Sequence, residues 1–194
     1  MAAFVLGNGV SRDSIEVDEL LKIGPVYGCN ALYRTHTVTA LVATDTPIAQ
    51  AIQKSGYSLT NRFYTRRPVA DTGAQKVPKE YFGFSSGPIA AAIAAQDGNV
   101  RIYLLGFDMG PSESGKFNNM YAGTEFYKEY GAHPTFTGNW IKQITKVIAD
   151  HPRQQFIRVQ GPTTASVLEL SKIENLTHLA LDTFIKRINN KKDL

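Results

Sequence analysis

Three small polar residues, Asn8, Ser11 and Asn30, stand directly after two short apolar runs, Phe4-Val5-Leu6 and Val26-Tyr27-Gly28-Cys29. They offer uncharged hydrogen-bond donors and acceptors, a set that suits a ribose and a phosphate without calling for a metal. Asn8 and Ser11 belong to the turn Gly7-Asn8-Gly9-Val10-Ser11. Its two glycines let backbone approach a ligand, and its N–H groups could receive a phosphate. The same residues have a plain structural use: Asn tolerates left-handed turns, and Gly-x-Gly serves as a tight strand–helix connection. Asp45 and Asp108 follow further apolar runs. Each is a candidate binding group or a turn acid, and Asp45 before Thr46-Pro47 suits a helix cap.

Among the four histidines, His133 is the candidate general base, because an unperturbed imidazole titrates near neutrality. It lies in an irregular stretch with Tyr121, Tyr127 and Tyr130, close to Trp140. His36 and His151 read as surface residues, His178 as a strand residue, and no two histidines have metal-ligand spacing. The group of Arg62 and Arg66-Arg67 follows an expected strand and could meet a phosphate or another anion, including a neighbouring subunit's carboxylates. Two nucleotide chemistries are disfavoured. A dinucleotide site wants Gly-x-Gly-x-x-Gly and an acid after the second strand, whereas this chain has Arg12 at the third glycine and Cys29-Asn30 after that strand. No glycine precedes Lys-Ser or Lys-Thr, so the phosphate loop of an NTPase is absent as well.

The elements that must position these residues follow from periodicity and punctuation. Strands are expected at Ala3–Leu6, Val26–Cys29, Thr37–Thr44, Ser58–Tyr64, Arg101–Leu105, Phe156–Val159 and Leu176–Leu181. Helices are expected at Val17–Lys22, 46–56, Ile89–Gln96, Asn139–Asp150 and Thr183–Asn189, the last capped by Asp182, with a polar helix or turn near Ala165–Leu170. The Ala- and Ile-rich segment after Ser85-Ser86-Gly87-Pro88 is apolar on most sides and should be buried against the sheet. Residues 65–84 and 109–138 are long irregular loops near the strand ends, and the second has the length of a lid or binding loop. Strands alternating with helices give a single α/β domain over 1–194, with a mainly parallel twisted sheet and helices on both faces. Ligands of such sheets sit beyond the carboxyl ends of the strands, where Asn8, Asn30, Asp45 and Asp108 all fall.

The 194 residues suffice for one sizeable core, and 43% are hydrophobic. No apolar run approaches the ~18 residues of a membrane span. The start lacks a basic region followed by an apolar stretch, so no signal peptide is expected and the expected location is cytoplasmic. Cys29 is the single cysteine, which rules out an internal disulfide. The net charge of +4 is mild and scattered. The basic tail, Lys186-Arg187 and Lys191-Lys192, reads as a solvated helix end, and nucleic-acid binding is not expected.

Three blocks resemble a known family. Gly7-Asn8-Gly9-Val10-Ser11 resembles the Gly-Asn-Gly-Pro-Ser turn of the family 42 bacterial sialyltransferases and of the related motility accessory factor and pterin diphosphokinase-like proteins. Cys29-Asn30-Ala31-Leu32-Tyr33 resembles their Cys-Asn-x-x-Tyr segment. Ser86-Gly87 with its Ala-rich helix, followed by Arg101-Ile102-Tyr103-Leu104-Leu105-Gly106-Phe107-Asp108, resembles their Ser-Gly turn, small-residue helix and Ile-Tyr-Leu-x-Gly-x-Asp. Order and spacing agree over roughly residues 3–108. The resemblance implies a Rossmann-like fold and a CMP-sugar site with Asn8, Ser11, Asn30, Ser86 and Gly87 as nucleotide contacts. It also implies two tyrosines holding the leaving phosphate and a later histidine as base. Here Gly110 and Lys116 stand where those tyrosines are counted, Tyr121 and Tyr127 come later, and His133 lies nearer Asp108 than the family histidine.

Two readings result. In the first, the chain is a metal-independent, glycosyltransferase-like enzyme with a CMP-type sugar donor and no cofactor. Gly7, Asn8, Gly9, Ser11, Asn30, Ser86, Gly87 and Asp108 bind the nucleotide, while His133, Tyr121 and Tyr127 serve catalysis, with Arg66 as another candidate for the departing phosphate. In the second, the fold is kept for non-catalytic binding or assembly, as in a phage-encoded structural protein. The aromatic loops would then be an interface to copies of the chain or to a larger assembly. A diphosphokinase-like activity would need a metal-bound triphosphate, for which Asp45 and Asp108 are the available acids.

Overall fold

The computed structural model describes residues 2–190; Lys191 and Lys192 of the basic tail lie outside them. Eight strands form one sheet in the order β5-β4-β3-β2-β1-β6-β7-β8, and every pairing is parallel. The strands are β1 (Ala2–Leu6), β2 (Val26–Cys29), β3 (Ala40–Val42), β4 (Phe63–Thr65), β5 (Gln75–Lys76), β6 (Arg101–Leu105), β7 (Gln155–Gln160) and β8 (Leu176–Ala180). The helices are α1 (Val17–Leu21), α2 (Thr46–Lys54), α3 (Tyr57–Thr60), α4 (Ser86–Gln96), α5 (Gly138–Asp150) and α6 (Leu181–Asn190). The chain winds outward from β1 in one direction through β2 to β5, then returns to pair β6 on the other side of β1. This is a Rossmann-like α/β domain whose direction of winding reverses between β1 and β6.

Alternation along the strands builds two cores. In β1, Ala3 and Val5 face one core, and Phe4 and Leu6 face the other. The first core holds α4 and α5, with Ile89–Ala95 wholly buried. Small side chains let α4 lie close on β1, β2 and β3, and Ile89 and Ile93 each contribute about 1.5–3 kcal/mol by burial. The second core gathers α1, α2 and α6 through Leu20, Ile48, Ile52, Phe184 and Ile188. Among the described residues no helix is long and apolar enough to cross a membrane.

Several boundaries differ from expectation. Ser58–Tyr64 is not one strand. Gly56, in the left-handed region at φ +79°, ends α2. The chain then restarts as the short α3, where the Asn61 carboxamide donates to the Tyr57 carbonyl at 2.9 Å, and pairing begins only at Phe63. The 65–84 loop contains β5 and a 3-10 turn, Lys79–Tyr81. Thr37–Thr44 pairs only over Ala40–Val42. The Ala-rich helix starts three residues early, at Ser86, because Pro88 fits its first turn. Of the helix or turn expected near Ala165–Leu170 the turn is what forms, leading into a 3-10 turn at Leu170–Lys172. Asp182 does not cap α6: β8 runs straight into that helix, so Asp182 sits inside its first turn.

Candidate functional site

A cavity of about 370 Å³ opens at the carboxyl end of the sheet, where the winding reverses. Strand ends supply Asn8, Asn30, Thr44, Asp45, Arg66 and residues 106–110. The start of α4 supplies Ser85, Ser86 and Gly87, and the 109–138 loop supplies Phe117, Asn118, Phe126, Tyr127 and Lys128. Of the residues singled out in the sequence, Gly7, Asn8, Gly9, Asn30, Ser86, Gly87, Asp108 and Tyr127 are brought together here. Ser11, Tyr121 and His133 do not line the cavity.

The glycine turn does not act as an open phosphate loop, because four of its five amides are already bonded and only Asn8 N–H has no partner among the described residues. Gly7 N–H donates to the Leu105 carbonyl at 2.8 Å and Gly9 N–H to the Gly106 carbonyl at 3.0 Å. Val10 N–H donates to the Asn118 side chain at 3.0 Å and Ser11 N–H to the Asp108 carboxylate at 3.1 Å. Glycine is required here by proximity. A Cβ on Gly9 would fall 2.5 Å from the Asp108 carboxyl carbon, and one on Gly7 would fall 2.6 Å from the Gly106 carbonyl oxygen. The turn therefore stitches β1 to the chain leaving β6.

Asp108 is the centre of that stitching. Only 4% exposed, its carboxylate accepts from Ser11 N–H, the Ser11 hydroxyl, Asn118 Nδ2 at 3.1 Å, Thr163 Oγ1 at 2.6 Å and Thr164 Oγ1 at 3.4 Å. Ser11 is spent on this contact, so its hydroxyl is not offered to a ligand. Arg158, 1% exposed, supplies the buried positive charge. It donates to the backbone carbonyls of Phe107 at 2.9 Å, Asp108 at 3.0 Å and Ala165 at 3.0 Å. Burial pushes its pKa down to about 10 against the pull of Asp108, so it stays charged at neutral pH. Sequence reasoning missed this anchor; an arginine inside the apolar run Phe156-Ile157-Arg158-Val159 is the signal that could have found it.

A second relay joins β2, β3 and α4. Thr44 N–H donates to the Ser86 hydroxyl at 3.0 Å, and that hydroxyl donates to Asn30 Oδ1 at 3.0 Å. Asn30 holds φ +54°, a conformation asparagine tolerates. Ser86 is thus a positioning residue, and it leaves the Asn30 Nδ2 group as the free donor. Tyr127 closes the arrangement from the loop. Its oxygen accepts from Asn8 Nδ2 at 3.4 Å and Ala31 N–H at 3.2 Å, leaving its own O–H to donate. Burial raises the Tyr127 pKa, so the phenol stays protonated. The Cys29 thiol beside it is pushed up to about 12, again chiefly by burial.

Arg66 and Lys128 bring positive charge to the rim. Arg66 is held by the carbonyls of Phe82 at 2.9 Å and Phe84 at 2.7 Å, and Lys128 lies 5.7 Å from the Phe117 ring. Neither has a carboxylate within salt-bridge distance among the described residues. Arg62, by contrast, is at the opposite end of the sheet, paired with Asp97 at 2.5 and 2.9 Å. Asp45 occupies the N-cap position of α2, yet its carboxylate makes no capping hydrogen bond. No group of three His, Cys, Asp or Glu side chains among the described residues could hold a metal ion.

Two expected catalytic residues stand elsewhere. His133 is exposed and off the cavity. Tyr121 packs into the second core, 5.6 Å from the Tyr127 ring, and its oxygen accepts from Arg12 Nη2 at 3.3 Å. The loop that carries them is fastened over the site by Met120 N–H on the Asn8 carbonyl at 2.9 Å, and by Arg34 on Thr124 and Glu125. Lys128, Asn118 and Thr163 carried no sequence signal, since each lies in irregular chain without periodicity. Compared with known proteins, the chain matches no family model, no curated protein and no solved structure.

Proposed function

We propose that the chain is a nucleotide-binding transferase whose cavity seats a mononucleotide or nucleotide-sugar, of the CMP type that the sialyltransferase resemblance implies. One observation carries this reading. Free donors and unpaired cations converge on a single cavity at the reversal point of the sheet: the Tyr127 O–H, Asn30 Nδ2, Arg66, Lys128 and the start of α4. The first-turn amides of a helix and its dipole favour an anion, and α4 is long enough to contribute both. Asn8 and Asn30 would orient the nucleoside.

In a transfer step, an acceptor hydroxyl oxygen bonds to the sugar's anomeric carbon as that carbon's bond to the phosphate oxygen breaks, and the acceptor's proton passes to solvent. The nucleotide departs with the electron pair. Tyr127, Lys128 and Arg66 would stabilise the charge developing on its phosphate. Tyr127 takes the part for which two tyrosines were expected, and His133, off the cavity, is given no role. The second reading, a non-catalytic binding or assembly protein, draws on the exposed aromatics of the 109–138 loop, Phe136 at 77% and Tyr130 at 68%.

Thermal melting with CMP, CDP, ATP, GTP and NAD, with and without magnesium, tests the proposal. A ligand that binds only the folded state raises the midpoint. A rise confined to cytidine nucleotides, lost in Asn30→Ala, supports the first reading. No rise with any nucleotide favours the second, and a full rise in Asn30→Ala refutes the site assignment.

A further inference from the structure

We infer that the free edge of β8 is a contact surface for a second copy of this chain, joined across a two-fold axis at His178 so that the two sheets continue into one. The inference concerns the edge of the sheet and is independent of the ligand. β8 (Leu176–Ala180) ends the sheet on one side and β5 (Gln75–Lys76) on the other. The two edges are built differently. β5 is two residues long and carries a lysine, which blunts it against pairing. β8 is five residues, Leu-Thr-His-Leu-Ala, with no lysine, arginine, acid or proline. Thr177, His178 and Ala180 are exposed, so no other element among the described residues covers this edge.

Backbone donors and acceptors decide what fits. Phe156 N–H donates to the Asn175 carbonyl at 2.8 Å, and the parallel register sets Phe156 opposite Leu176. Alternation then turns the backbone groups of Thr177 and Leu179 toward β7 and those of Leu176, His178 and Ala180 outward. Leu176 N–H is spent on the Ile173 carbonyl at 3.2 Å, and the Ala180 carbonyl enters the first turn of α6. The edge therefore presents the Leu176 carbonyl, the N–H and carbonyl of His178, and Ala180 N–H. This set is its own complement. In an antiparallel pair centred on His178, the two His178 residues exchange N–H···O=C bonds, and each Ala180 N–H meets the Leu176 carbonyl of the other copy. Moving the centre by one residue either way leaves at least one of these groups unpaired. A generic strand laid there would bring a carbonyl to the spent Leu176 N–H and an N–H to the spent Ala180 carbonyl. The second copy brings neither, because its own are spent in the same way. Partial burial and the nearby Arg158 lower the His178 pKa, so the two imidazoles meet uncharged at neutral pH. The two-fold runs the strands of the copies oppositely, and the two cavities open at opposite ends of the joined sheet.

Sedimentation equilibrium of the full chain tests this. An interface at the small end of the size range should half-associate at roughly 10–100 µM. The limiting mass should be twice the 21.4 kDa of one chain. His178→Lys sets two like charges side by side on the two-fold and should weaken association at least about tenfold. His178→Pro removes the two central hydrogen bonds and should leave only monomer, while the fold survives because that N–H has no partner within the chain. Circular dichroism and thermal melting check both variants, and His178→Lys carries the test if the proline variant does not fold. His178→Cys should crosslink to dimer under mild oxidation, because facing residues there stand about 5.5 Å apart. Gln75→Cys on β5 should not, and the native Cys29 is buried and does not compete. A single-chain mass at every concentration assigns the edge to another occupant and overturns the inference. So does a dimer that His178→Lys leaves unchanged, or one that crosslinks through Gln75→Cys and not through His178→Cys.

Discussion

Replacing Asp108 should weaken the fold in proportion to the hydrogen bonds it gathers, before any ligand is considered. In Asp108→Asn one oxygen becomes an NH₂ group. Ser11 N–H, Asn118 Nδ2 and Thr163 all converge on Oδ2, so the amide oxygen will keep that place. The new NH₂ then faces the Ser11 and Thr164 hydroxyls, which can turn and accept. What is lost is the charge on these bonds and the counter-charge to buried Arg158, together about 2 kcal/mol. Asp108→Ala removes every acceptor and leaves Arg158 without an acid, about 4 kcal/mol. For a domain of this size these correspond to roughly 4–8 °C and 8–16 °C in Tm. Urea titration followed by circular dichroism, with thermal melts, measures both. An Asp108→Asn variant within about 0.5 kcal/mol of wild type, or an alanine variant no worse than the asparagine one, would refute the assignment of Asp108 as a structural hub.

Four further outcomes are expected. Gly9→Ala should lose about 2–3 kcal/mol in denaturant titration because its Cβ would strike the Asp108 carboxyl. Gly87→Ala meets only the Phe107 ring at 3.5 Å and should melt at or slightly above wild type while blunting any CMP-induced shift. Tyr127→Phe leaves Ala31 N–H and Asn8 Nδ2 without their acceptor and should cost about 1–2 kcal/mol, with at least about tenfold weaker CMP binding by calorimetry. At the other end of the sheet, burial pushes Asp97 up, but Arg62 and the Tyr27 hydroxyl outweigh it and hold its pKa below the usual value. A depressed carboxylate stabilises the fold above the unfolded value of about 3.9 and loses that contribution as pH falls further. Stability measured from pH ~5 to ~3 should therefore drop more steeply in wild type than in Asp97→Asn, and parallel curves would refute the pairing.

Periodicity and punctuation in the sequence determined the layered α/β design, the buried alanine-rich helix and the strand ends where the site lies, because those depend on local alternation and on glycine and proline. They also picked out Asn8, Asn30, Asp45 and Asp108 as residues that meet at one end of the sheet, and the family resemblance added Ser86. What each of them does was decided by tertiary contacts. Asn30 faces the cavity with its donor because Ser86 and Thr44 fix its oxygen. Ser11 and Asp108 are consumed by each other, and the glycine turn spends four of its five amides on the end of β6 and the chain after it. Lys128 and Tyr127 reach the cavity while His133 and Tyr121 do not, since an irregular loop carries no repeat from which the direction of a side chain can be read. Arg158 belongs between the two cases. Its charge is plain in an apolar strand, but only the fold supplies the three carbonyls that make it an anchor.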